Sequence, residues 1–438
     1  MLNERHRLKE YIKFIYPLCL FSFLQQIYGI IDIANGSLLG ANEMSYIVYI
    51  DQVMLIIMAF ANSIAVALSI LISKRVELDK NEEIKLIIGN TFIVLLVVSV
   101  TIASFITLFD QTFLTMIFAP AEFYDIDKTY LVIRSINNIF LFFNLSILAI
   151  EKAKGNTQKV FIVNIVGILV KVITSAIISN VFEMNLAFIG IITIIPTLFV
   201  FLISLRIFLA SANPYTIGIA DYRLNFKVLR ELFDFSIPLF FSLVVFNVGK
   251  AVVNIQALKY GADAVGYLGT SNRIIGLTAS LSNGLQEGVS ILLARYRTTD
   301  WLMSRFIIKT TLLSNILITV LGACLYVVFF DNLTMYFAAG NVDVANKISM
   351  IFKLELIGFI FLPLTNFIVG ILYGFEKTKL VFIISFFRIF IFRNLVLVAL
   401  SFTSVGISAL GIAMLTSHVG TFGLALYLVC REFKLLKN

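Results

Sequence analysis

Residues 14–38 read FIYPLCLFSFLQQIYGIIDIANGSL. Wound as a helix at ~1.5 Å per residue, an apolar run of this length covers the ~30 Å of hydrocarbon in a bilayer. Gln25, Tyr28, Asp32 and Asn35 recur inside it at spacings of three, four and three, so all four share one helix face. A carboxylate in such a span is costly in lipid and turns toward protein or water. The segment therefore predicts a membrane helix bordering a polar interior, not a lone anchor.

Working outward, eleven further apolar runs follow, near 46–72, 86–109, 130–150, 159–180, 186–209, 232–258, 265–293, 307–330, 346–373, 379–402 and 406–430. Only 14% of the 438 residues are charged and 60% are hydrophobic, whereas soluble domains carry about a quarter charged residues. The expected fold class is an all-α polytopic membrane protein with twelve transmembrane helices in two pseudo-symmetric six-helix lobes. A β-barrel's alternation is not what these continuous runs show.

The formal net charge of +8 does not mark a nucleic-acid binder, because the basic residues sit between apolar runs rather than along one face. They sort by side: 24 of the 34 fall in alternate connections, among them Arg5, Arg7, Lys74, Arg75, Lys152, Lys154, Arg223, Arg230, Arg295, Arg297, Lys377 and Arg431. The other connections hold Glu43, Asp110, Glu122, Asp125, Asp127, Glu183, Asp331 and Asp343. The positive-inside rule then places both termini in the cytoplasm of a multi-pass protein of the cell membrane. The charged stretch Glu4 to Lys13 runs into the first span without a small-residue cleavage site, so no removed signal peptide is expected. Cys19, Cys324 and Cys430 lie far apart and read as core thiols, and with only His6 and His418 no metal-ligand spacing can be written. Short connections leave no room for a soluble catalytic domain, and no GxxxxGK[ST] segment occurs, so ATP is not the energy source and an enzyme is not expected. No cofactor is implied beyond a proton or sodium ion.

Sliding the second half over the first by 221 positions places Pro238 on Pro17, Gly261-Ala262 on Gly40-Ala41, Ser290-Ile291-Leu292 on Ser69-Ile70-Leu71 and Arg295 on Lys74. The chain thus reads as two copies of one unit, 1–209 and 232–438, joined by a cytoplasmic linker over 210–231. Such repeats are the sequence sign of a two-lobed transporter, with membrane lipid and a small-molecule substrate as partners and a monomer as the expected state.

Ionisable and polar side chains inside spans are the candidate site. Asp32 can gain or lose a proton as access changes, or it can be locked to a neighbouring lysine; the sequence leaves both readings open. Asn164, Lys171 and Ser175 share a face of the fifth span, and Thr193 precedes Pro196 in the sixth. Asn247, Lys250 and Asn254 repeat the spacing in the seventh. Arg273, Asn283, Gln286 and Glu287 follow in the eighth, Lys353 and Glu355 in the tenth, Arg388 and Arg393 in the eleventh. Arg273 and Lys353 lie near span ends, from which long side chains reach the interface.

These residues resemble the multidrug and toxic compound extrusion (MATE) transporters, in particular a DinF-like prokaryotic branch, within the group that also holds polysaccharide-lipid flippases. The resemblance rests on Pro17 fifteen residues ahead of Asp32, Ile31-Asp32-Ile33 leading to Leu39-Gly40, Leu71-Ile72-Ser73-Lys74-Arg75 and Gly155-Asn156-Thr157-Gln158. In the second half it rests on Ser236-Ile237-Pro238, Tyr260-Gly261-Ala262-Asp263-Ala264-Val265, Asn272-Arg273-Ile274, Gly370 through Gly374, and Phe387-Arg388. It implies alternating access driven by a proton or sodium gradient, with Asp32 as coupling carboxylate and Pro17 bending its helix. It further implies an asparagine and an aspartate in the fifth helix, where this chain carries Lys171 and Ser175, and a threonine matched by Thr193. Lys171 would supply a tethered charge where a sodium ion near Asp32 is expected.

Two functions follow. One is a cation-coupled antiporter exporting small drug-like or cationic compounds, with Gln25, Tyr28, Asn35, Asn164, Asn247, Lys250, Asn254 and Arg388 lining its cavity. The other is a flippase for an anionic lipid-linked saccharide or related amphiphile, for which Lys171, Lys250, Arg388 and Arg393 would form a cationic cavity. Convergence of the cations on one space favours the second; pairing with acids favours the first.

Overall fold

A computed structural model describes residues 4–36, 41–126, 128–209, 215, 218, 222–261, 263–338 and 340–435, with the side chains of 27–36, 41, 42, 44, 45, 48 and 433–435 outside the described set. The described residues form helices and no strand. In the first half these are α1 (Glu4–Gly36), α2 (Ala41–Val76), α3 (Asn81–Leu108), α4 (Asp110–Met116), α5 (Thr129–Lys154), α6 (Thr157–Val181) and α7 (Leu186–Phe208). The second half has α8 (Phe226–Ala257), α9 (Ala264–Tyr296), α10 (Trp301–Val328), α11 (Phe330–Phe337), α12 (Val342–Phe359), α13 (Phe361–Gly374) and α14 (Thr378–Phe386). A π-helical segment (Phe387–Leu395) then leads into α15 (Val396–Leu400), and α16 (Ser408–Leu435) follows.

Among the described residues nine helices are long and apolar enough to cross a membrane, ten when α12 and α13 count as one bent span. The polytopic all-helical fold read from the apolar runs is thus present, with two departures. The run at 346–373 is broken at Ile360 and bent by 45°, because Pro363 has no N–H to give the carbonyl a turn earlier and its ring crowds that carbonyl. The eleventh run is not α-helical throughout.

The helices are inverted relative to those of soluble proteins. In α10, Thr311, Asn315 and Thr319 are buried and bonded along the helix, Asn315 Nδ2 to the Thr311 carbonyl and Thr319 Oγ1 to the Asn315 carbonyl. Leu313, Leu317 and Leu321, on the opposite side, are exposed. Lipid solvates leucine, so polar groups gain by turning inward to find partners. Cys324 and Cys430 follow the same rule: both are exposed on outward faces, correcting their reading as core thiols, and only Cys19 is buried.

The described chain forms two compact units, one of Leu24–Phe240 and one of Met1–Phe23 with Phe241–Asn438. These boundaries differ from the ends of the repeat because each unit includes the leading stretch of the other half's opening helix. In the second unit the start of α1 lies on α9 and α10: Tyr11 Oη donates to Thr311 Oγ1 of α10 at 2.9 Å, and Tyr296 Oη of α9 to Glu10 Oε1 at 2.8 Å. In the first unit the start of α8 lies on α2, where Arg75 Nη2 donates to both Glu231 oxygens at 2.7 and 3.0 Å and Arg75 Nε to Glu83 at 2.9 Å. The 221-residue offset carries Glu10 onto Glu231 and Arg75 onto Tyr296. Equivalent positions of the repeat therefore make equivalent contacts, one as an ion pair and one as a neutral donor to a carboxylate.

The α1–α9 contact depends on Gly284, where an added Cβ would sit 2.4 Å from the Cys19 Cα and 2.6 Å from the Leu18 carbonyl oxygen. Backbone cannot yield as a side-chain tip can. Gly284→Val is expected to destabilise the protein by about 1–3 kcal/mol, seen as a lower detergent melting temperature, while the same change at Gly423, which has open space around it, has little effect.

At the acidic end of the first unit, Lys128 Nζ meets Asp110 Oδ2 at 2.7 Å and the Gln111 N–H meets Oδ1 at 2.8 Å. The lysine first, then the amide, hold the Asp110 carboxyl below the usual aspartate range. A depressed folded value means stabilisation that is present above the ordinary aspartate range and lost as pH falls through the lowered value. The pair is partly solvated, so Asp110→Asn should cost no more than about 1 kcal/mol at pH 7, with the difference from wild type in denaturation shrinking as pH falls below the ordinary aspartate range.

Candidate functional site

The polar residues of the first unit are built on α1, α6 and α7. Gln25 Nε2 donates to Asn164 Oδ1 at 3.3 Å, while Asn164 Nδ2 bonds the Val160 carbonyl of its own helix at 2.8 Å. Lys171, seven residues beyond Asn164 and so on the same face of α6, is fully buried, and Ser175 is half-buried. Thr193 is buried and its hydroxyl donates to the Ile189 carbonyl at 2.9 Å. Tight seating of α6 on α7 at Gly167, where a Cβ would meet Val200 at 2.6 Å, holds these helices close. The side chains of Tyr28, Asp32 and Asn35 lie outside the described residues, and Pro17 sits inside α1.

The second unit assembles the remaining cations. On α8, exposed Phe241, Val248 and Ile255 recur at seven-residue spacing as one stripe, and Lys250, itself exposed, stands about 200° from Val248. Its Nζ lies 4.7 Å from the ring centroid of Phe246, one turn earlier, and the Arg388 guanidinium lies 5.0 Å from the same centroid. One phenyl ring thus carries two cations, each within the ~6 Å at which a ring face attracts positive charge. Arg393, five residues beyond Arg388, is buried. The Nε atoms of both arginines are buried without a hydrogen-bond partner among the described residues.

Among the described residues one carboxylate, Glu355, enters this cluster. Glu355 of α12 is 1% exposed, accepts from Ser271 Oγ at 2.5 Å, and lies 4.0 Å from Nε2 of buried His418 on α16. Among the described residues no acid forms an ion pair with Lys250, Arg388 or Arg393. Asn247 and Asn254 flank Lys250 on α8, both half-buried. Arg273 and Lys353 are exposed and point away, Lys353 toward the Phe330 ring at 5.4 Å.

Asn394 joins the two cation-bearing elements. Its Nδ2 donates to the Gly249 carbonyl of α8 at 3.1 Å and to the Ile389 carbonyl at 2.8 Å, while Gln256 Nε2 donates to its Oδ1 at 3.2 Å. Ser417 Oγ bonds the Arg388 carbonyl at 3.1 Å and Thr416 Oγ1 the Phe392 carbonyl at 3.0 Å. These side chains satisfy carbonyls that π winding leaves poorly bonded. Sequence spacing singled out Lys250, Arg388, Arg393 and Glu355 but missed Asn394 and the nearness of His418, which is 63 residues from Glu355 and carries no local signal.

Internal repeats and charged side chains within the spans of a helical membrane chain fit a transport protein, and the comparisons agree. The MatE family model matches residues 17–177 and again 238–400, the two matches beginning at the same 221-residue offset that superposes the halves. The chain belongs to the MatE family of transporters. Solved structures of the same fold include a MATE in complex with MaL6, 14% identical with a TM-score of 0.90 over 99% of this chain and 98% of that one. A multidrug resistance MATE family transporter of the MOP superfamily in an outward-facing conformation is 14% identical, with a TM-score of 0.85 over 99% and 97% of the two chains. A MOP superfamily transporter from Pyrococcus furiosus, described as having a binding pocket of reverse polarity that suggests a different function, is 14% identical, with a TM-score of 0.86 over 99% and 97%. No curated protein matches the chain.

Proposed function

We propose that this MatE-family protein is a cation-coupled secondary transporter of the cell membrane, both termini cytoplasmic, that exports an amphiphilic compound bearing an anionic group by alternating access. One observation carries the reading: Lys250 and Arg388 share the Phe246 ring, and among the described residues no carboxylate forms an ion pair with either. Such a surface attracts an oxyanion and repels an organic cation. The reversed pocket polarity of the Pyrococcus furiosus relative is a precedent for this departure within the superfamily.

Coupling is assigned to Asp32 with Lys171. Support comes from the full burial of Lys171 on the face of α6 that Gln25 of α1 reaches through Asn164. A fixed ammonium competes with a proton or sodium ion for a carboxylate, so the pair can open on proton uptake. Asp32→Asn and Lys171→Ala are each expected to weaken the pH-gradient dependence of transport, with the double variant less than additive. An unchanged dependence in all three removes the pair from the mechanism.

The substrate class is tested in proteoliposomes under imposed proton and sodium gradients, with an organic cation and an anionic amphiphile side by side. Gradient-dependent movement of the anion alone is expected. Movement of the cation alone would sink the reading.

A further inference from the structure

The charge balance of the second unit goes further, and it rests on the proposed reading of Lys250 and Arg388. Lys250, Arg388 and Arg393 bring three positive charges, and Glu355 returns one negative charge. His418 is uncharged at pH 7.4, above the ordinary histidine range. The other groups facing Glu355 are neutral: the Ser271 hydroxyl from α9 and the Tyr326 phenol from α10. The cluster therefore holds a surplus of two positive charges against apolar helices, where unbalanced charge is costly.

The winding of the segment decides where that surplus points. In an α-helix, residues five apart stand ~140° from each other, so Arg388 and Arg393 would face different neighbours. In a π-helix, bonded i to i+5, residues five apart fall roughly one turn apart on one side. Phe387–Leu395 is π-helical, and Asn394 holds it there while tying it to the α8 turn that carries Lys250. The segment also packs tightly at that tie, since a Cβ on Gly249 would lie 2.2 Å from Ile389 Cγ1.

We propose that π winding of residues 387–395, held by Asn394, turns Arg388 and Arg393 with Lys250 toward one doubly charged oxyanion, so that the site selects a phosphate monoester over a singly charged group of the same shape. The phosphate can belong to a lipid headgroup or to a soluble ester. Asn394 is a positioning residue: it touches neither charge and acts through the register of the arginines.

The test is calorimetric binding to the purified full-length protein in detergent at pH 7.4, with phenyl phosphate and phenyl sulfate, near-isosteric probes that differ by one charge once the second phosphate proton is lost near pH 6. Wild type is expected to bind the phosphate at least about tenfold more tightly, a preference that shrinks toward pH 5 as the phosphate becomes a monoanion. Arg393→Gln should bring the two probes within about threefold while sulfate binding changes less. Asn394→Leu should erase the preference, and Asn394→Gln should restore part of it. A short-chain phosphatidic acid run beside phenyl phosphate separates the sources: tighter binding of the lipid assigns the headgroup, equal binding a soluble ester.

Equal binding of phosphate and sulfate by wild type overturns the dianion assignment and leaves the anionic-substrate reading standing. Binding of neither overturns both. An Asn394→Leu protein that melts like wild type and keeps its preference removes Asn394 from the site.

Discussion

Replacing Arg388 with glutamine should lower affinity for an anionic amphiphile by about ten- to hundredfold, the largest functional effect expected of a single change in this protein. A hydrogen bond between charged partners is worth about 1.5–3 kcal/mol, and each 1.4 kcal/mol is tenfold. The Arg388 Nε is buried with no hydrogen-bond partner among the described residues, so turning that nitrogen to a ligand breaks no hydrogen bond there. Loss of a site that only binds should raise KM more than it lowers the maximal rate. Arg388→Lys keeps the charge but not the fork of donors and should recover part of the affinity. Initial transport rates across a concentration series check this. Unchanged KM in Arg388→Gln would place the substrate elsewhere.

The second large effect is on stability. Glu355→Leu should destabilise the protein by up to about 3 kcal/mol, because it removes an acid whose charge acts on Arg393 and leaves the Ser271 hydroxyl without its acceptor. Breaking one side of a buried charge balance costs more than removing both sides. The double variant Glu355→Leu with Arg393→Leu is therefore expected to melt above Glu355→Leu alone, a coupling that a merely steric role for Glu355 would not give. Melting in detergent measures it, and a double variant no more stable than the single would show that the arginine does not depend on this acid.

Much of this was legible before any coordinates. Apolar runs fixed the helices because a bilayer leaves a crossing chain no other way to satisfy its backbone. Polar residues at spacings of three and four marked faces on which helices bond to one another, as in Gln25 with Asn164. The 221-residue offset showed the repeat, and it recurs in the contacts of Glu10 and Glu231.

Where local pattern failed, distant partners were responsible. Nothing near residues 387–395 announces a π-helix; carbonyls there are held by Asn394, Thr416 and Ser417, two of them from α16. The break at Ile360 was signalled by Pro363 but not its angle, which depends on the neighbours the two helices pack against. Cys324 and Cys430 were misplaced because apolar character alone does not tell a lipid-facing thiol from a buried one.

By itself the sequence determined a polytopic helical membrane protein, its twofold repeat and the residue types on its polar faces, because hydropathy and periodicity are properties of a chain. Tertiary structure decided that Lys250 and Arg388 meet over one ring, that the charge of Glu355 reaches Arg393, and that the leading stretches of α1 and α8 are exchanged between units. Charge balance and partner choice are sums over residues far apart in sequence, and only folding brings their terms together.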